Sequence, residues 1–153
     1  MKSFKQFKTQ INELFDKPAQ WKMTSNRPTY VGYESNINGR RLRVTFNGSF
    51  DEKWEVFFDV DTEIGITGGG DEVKIFSTVL DIMKDFIQRN SPEELYFTAS
   101  KEVHDKNTGK ISFTDSRSRL YSRLIRRFAK DHGYSLAHED DVGWQISYTL
   151  VKI

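Results

Sequence analysis

Three glycines stand at the mouth of a long amphipathic segment, GITGGGDEVKIFSTVLDIMKDFI, from Gly65 to Ile87. Glycine amides at a helix N-terminus are suited to cradling a phosphate, because no side chain blocks close approach and the helix dipole favours the anion. In that reading Thr67, Gly68, Gly69, Gly70 and Lys74 form a cofactor-binding set, with Lys74 as its cation. The next two residues oppose it. Asp71 and Glu72 fall in the first helical turn, where carboxylates complement the dipole and repel a pyrophosphate. Asp71 is also a natural N-cap that competes for the same amides. A tight strand-to-helix turn requiring positive φ, closed by a cap, is therefore the leading reading. A phosphate cradle and a contact with another ligand or partner stay open.

The second candidate lies on a later helix. Arg119, Arg123, Arg126, Arg127 and Lys130 fall within about 100° of one face at 3.6 residues per turn. Leu120, Tyr121, Leu124, Ile125 and Phe128 occupy the other side, and Arg117 extends the basic stripe. A solvated face whose long stems shield the apolar layer explains this arrangement. Binding of a polyanion such as nucleic acid, or of an acidic protein surface, is the sharper alternative, since arginine suits bidentate phosphate or carboxylate contact, and a coenzyme phosphate is the third.

Other chemistry is sparse. His104, His132 and His138 lack metal-ligand spacing and no cysteine assists them, so no metal site is expected. His138-Glu139-Asp140-Asp141 reads as a solvated acidic loop before it reads as a chelator. There is no Gly-x-Ser-x-Gly elbow, and no Gly-Lys-Ser/Thr follows the glycines. Glu55, Asp59 and Asp61 are strand carboxylates and the candidates for a general base should the chain be an enzyme, with Asp59 and Asp61 on one strand face. Strand carboxylates of this kind are more often solvent-facing, so no catalytic residue is assigned.

The elements that must position these residues fit one domain of 153 residues. Apolar residues are 37% and the formal net charge is +1, so bulk electrostatics selects neither nucleic acid nor membrane and any basic patch is local. The absence of cysteine excludes a disulfide scaffold and a thiol nucleophile. No apolar run reaches the roughly 20 residues of a spanning helix. The opening MKSFKQFKTQINELF lacks the apolar core of a signal peptide, and a cytoplasmic location is expected.

Residues 1–28 are expected to form an amphipathic helix, Ser3 to Phe15, followed by a connector that Trp21 pins to the core. The helix carries Phe4, Phe7, Ile11, Leu14 and Phe15 on one stripe, and is either docked on the domain or a partner-binding or membrane-surface helix, with few lysines for the last. Residues 29–153 are expected to form the main domain. Thr29–Ser35, Arg40–Asn47 and Lys53–Asp61 read as an antiparallel meander, with Asn36-Ile37-Asn38-Gly39 signalling its first hairpin. A wide-faced helix over Asp71–Arg89 follows, then a central strand, Glu94–Ser100. A polar excursion with Asn107-Thr108-Gly109 at its tip reads as a hairpin or a loop. A second helix, Ser116–His132, is ended by Gly133, and two strands close the chain.

This order, with the glycine loop entering the first long helix and Gly133-Tyr134 ending the second, resembles the GNAT-like acyltransferase superfamily over about Thr29–Ile153. The resemblance implies an α/β fold with a mixed sheet, an antiparallel N-terminal meander, two long helices packed on the sheet and an extra N-terminal helix. It implies acetyl-CoA as the cofactor if the protein is an enzyme. The motifs depart from the family pattern. Thr67 stands where the family has Arg or Gln, and Glu72 where it has a small residue. Ala129 stands at the offset of the family's general-acid tyrosine, while Tyr121, Tyr134 and Tyr148 have no positional match. The stretches TGGGDEVKIFSTV, SRSRLYSRLIRRFA and MKSFKQF are also similar to small proteins encoded by tailed bacteriophages, which would place the chain in the host cytoplasm or the virion. A binding or interaction module with degenerate acyltransferase motifs, and no cofactor, is the leading expectation. An acyl-CoA-dependent N-acyltransferase and a virion structural component are the alternatives.

Overall fold

The computed structural model describes residues 17–49, 51–60, 71–100, 102–104, 111–113, 115–143 and 145–153. The expected N-terminal helix and the loop Thr67–Gly70 lie outside the described residues. The elements are β1 (Trp21–Arg27), β2 (Tyr30–Ile37), β3 (Arg40–Gly48), β4 (Lys53–Val60), α1 (Asp71–Asn90), β5 (Glu94–Ser100), β6 (Glu102–His104), β7 (Ile111–Phe113), α2 (Asp115–Asp131), β8 (Tyr134–Asp141) and β9 (Gln145–Lys152).

Seven strands form one sheet in the order β1-β2-β3-β4-β5-β9-β8. Neighbours are antiparallel except β4 and β5, which run parallel with α1 as their crossover. The chain is thus an α+β protein with a mostly antiparallel sheet. The polar excursion after β5 resolves as a hairpin, β6 pairing antiparallel with β7.

Alternation decides which side of each strand is buried. Leu42, Val44 and Phe46 on β3, and Trp54, Val56 and Val60 on β4, are buried, while Arg41, Arg43, Glu55, Phe57 and Asp59 between them are exposed. Both helices pack on the buried face. On α1, Ile75, Phe76, Val79, Ile82, Met83 and Phe86 are buried. Phe86 stacks on Phe46 with centroids 4.0 Å apart and planes 9° from parallel, and Trp54 meets Phe86 edge-on at 4.9 Å. On α2, Tyr121, Ile125, Phe128 and Ala129 face inward.

Turn chemistry fixes the register. Asn38 and Gly39 both take positive φ, 53° and 81°, as a two-residue turn with the strand twist requires. Gly133 takes φ 78° where α2 stops. Tyr134 then begins β8 and donates to the Pro92 carbonyl at 2.6 Å, tying that strand to the α1–β5 connection.

One expected element is corrected. The connector before Thr29 contains β1, which pairs with β2 from Trp21↔Ser35 to Arg27↔Tyr30, so these residues belong to the sheet. Trp21 is anchored as expected, donating to Asp81 on α1 at 2.7 Å and meeting Tyr33 edge-on. Thr78 adds a second tie, accepting from the Ala19 amide at 2.9 Å.

Candidate functional site

The only parallel pair in the seven-stranded sheet is also incomplete. β4 and β5 pair from Lys53↔Glu94 to Val56↔Phe97 and then separate. Both strands continue, each held from its far side. Phe57 to Val60 stay paired with Thr45 to Leu42 on β3, and Thr98 to Ser100 with Ser147 to Gln145 on β9. The two facing edges therefore carry backbone amides and carbonyls that no described strand pairs, forming a fork at the carboxyl ends of two parallel strands. That is the general position of ligand clefts in sheets whose connections diverge.

Aromatic packing holds the fork at its root. Phe58 stacks on Phe97 at 5.6 Å and 9° on the helix side of the sheet. Phe76 of α1 meets Phe97 edge-on at 6.0 Å and stacks on Tyr121 of α2 at 4.4 Å. Tyr148, opposite Phe97 on β9, lies 6.1 Å from it ring to ring. Five rings thus fill the layer under the diverging strands.

Tyr148 also begins a polar chain leading outward. Its hydroxyl shares a 2.9 Å hydrogen bond with Ser122 of α2, and Ser122 donates to Glu139 of β8. Arg126 donates to the other Glu139 oxygen at 3.0 Å. Burial pushes the Tyr148 hydroxyl up to about 12, so it is neutral and available as a donor at ordinary pH.

The chain ends in a surface groove of about 600 Å³ between α2 and the β8–β9 hairpin. Arg119, Arg123 and Arg126 form one side and Glu139 and Asp141 the other, with Ile146 between them. The basic stripe expected from the sequence is therefore divided. Arg119 and Arg123 enter the groove exposed, and Arg126 enters it bound to Glu139. Arg127 instead approaches Asp131 at 3.9 Å and lines a smaller cleft between the helices, and Lys130 is exposed outside the groove.

Other expected site residues scatter. Lys74 is exposed on α1, next to the undescribed loop. Asp59 forms an exposed ion pair with Arg43 at 3.0 Å on the open sheet face, which Glu55 shares. Ala129 is buried in the core. Among the described residues no group of three or more histidine, aspartate or glutamate side chains could hold a metal ion. Among them, too, no helix is long and apolar enough to cross a membrane.

Sequence reading missed Ser122 and Glu139 as partners. Ser122 lies at the border of the arginine stripe on its helix, and Glu139 falls in a stretch that reads as a solvated acidic loop. No family model, no curated protein and no solved structure matches the chain.

Proposed function

We propose that this chain is a GNAT-like domain that acts as a binding module, taking the extended, amide-bearing arm of an acyl-CoA-like ligand between β4 and β5. One observation carries the reading: the β4–β5 pairing ends at Val56↔Phe97 while both strands run on. An extended ligand with amide groups can bond to the two edges that no described strand pairs, as an added strand would. The strand order and the α1 crossover between the parallel pair support the GNAT-like assignment.

Binding without transfer is favoured by the side chains around the fork. Ala129, at the offset of the superfamily's general-acid tyrosine, has no proton to give, and Asp59 on β4 is held by Arg43 on the face away from the helices. Titration with acetyl-CoA and with CoA, read by thermal unfolding, tests the proposal. A ligand at a hundredfold excess over its dissociation constant stabilises the fold by about 2.7 kcal/mol.

A second reading, an active N-acyltransferase, rests on Tyr148. Its ring lies beside the root of the fork, and its hydroxyl connects through Ser122 and Glu139 to the surface. In that reading Tyr148 supplies the proton to the leaving thiolate. Turnover of acetyl-CoA with a panel of amines, abolished by Tyr148→Phe, separates it from binding alone.

A further inference from the structure

Arg119 and Arg123 are one helical turn apart, with Cβ atoms about 5–6 Å from each other at this spacing. Both are exposed, both line the α2–β8/β9 groove, and neither has a carboxylate partner among the described residues. Arg126, the third arginine of the wall, is fixed by Glu139, which Ser122 fixes in turn. Two guanidinium groups with no carboxylate partner among the described residues thus stand on a wall whose third arginine is held in place.

We propose that this groove binds the phosphate group of a small phosphate monoester through Arg119 and Arg123. A carboxylate satisfies one guanidinium fork, whereas a phosphate presents three oxygens and can engage both. The volume of about 600 Å³ suits a metabolite. The opposite wall argues against a polymer. Glu139 and Asp141 line it. A nucleic-acid backbone running along the basic stripe would meet these carboxylates, while a single phosphate at Arg119 and Arg123 would not need to. The same carboxylates can accept hydroxyl donors from the rest of a small ligand. The proposal is independent of the fork, because it names different residues and a different chemical group.

The test is a titration of the full chain with glycerol phosphate, inorganic phosphate and a single-stranded DNA oligonucleotide, followed through the arginine Nε–H NMR signals. Glycerol phosphate is expected to shift Arg119 and Arg123 saturably, at least as tightly as inorganic phosphate. Arg119→Gln and Arg123→Gln should each weaken it about tenfold, and Arg127→Gln should not. Equal, unsaturated shifts at all exposed arginines overturn the proposal. So does binding of inorganic phosphate without glycerol phosphate. Tighter binding of DNA, with a salt dependence of several phosphates, would also overturn it in favour of a nucleic-acid surface.

Discussion

Val56 and Phe97 are the last residues that pair β4 with β5, and β4 runs four residues and β5 three residues past them without meeting. Parallel strands that separate in mid-length leave backbone groups unpaired, which is costly away from water unless something bonds to them. Phe58 and Phe97 stack across the fork, so the side-chain layer continues where the hydrogen bonds stop. The separation is thus compatible with a packed core, and no described strand fills the two facing edges.

The stack of Phe46 on Phe86 joins the meander to α1. Both rings are fully buried. Phe86→Ala is expected to cost about 3–5 kcal/mol in urea unfolding, the range for removing a buried aromatic ring.

Gly48 packs its backbone against the indole of Trp54. A Cβ there would lie 2.6 Å from two ring atoms. Gly48→Ala should destabilise the protein by about 1–3 kcal/mol through this overlap. Combining it with Trp54→Leu should cost less than the two changes added, because the obstacle is then gone.

Ser122 is the hinge of the polar chain. Ser122→Ala leaves the Tyr148 hydroxyl and one Glu139 oxygen without their partner, and is expected to cost about 1–3 kcal/mol. Tyr148→Phe leaves Ser122 still bonded to Glu139 and should cost less, about 0.5–1.5 kcal/mol. The order of the two unfolding midpoints checks the connectivity.

Burial raises three tyrosine hydroxyls, those of Tyr33, Tyr134 and Tyr148, the last two to about 12. A raised acid is neutral in the folded state and ionises first in the unfolded one. Its contribution to stability is complete below the unfolded value of about 10 and is lost as pH rises toward the folded value. Tyrosinate absorbance should therefore show a fraction of the six tyrosines ionising only together with loss of near-ultraviolet circular dichroism.

Much of the fold was legible because local signals and burial agree. Asn38-Gly39 marked its hairpin, Gly133 its helix end, and the alternation of Leu42, Val44 and Phe46 its buried face. β1 was not legible. It is a polar edge strand, and its register shifts between Met23 and Ser25, which breaks the alternation that Trp21 and Met23 begin. The pairing of Arg126 with Glu139 was hidden for a related reason. The register shift between Leu136 and His138 turns Glu139, instead of His138, toward α2. The fork leaves no mark in the sequence, since β4 keeps its alternation past Val56 and only the partner strand departs.

Amide hydrogen exchange with and without acetyl-CoA decides whether the β4–β5 fork holds an extended amide-bearing ligand, as proposed. Slowed exchange concentrated in Phe57–Val60 and Thr98–Ser100 is expected, together with a raised unfolding temperature. Unchanged exchange in both segments and an unchanged unfolding temperature, with acetyl-CoA and with CoA in large excess, would contradict it.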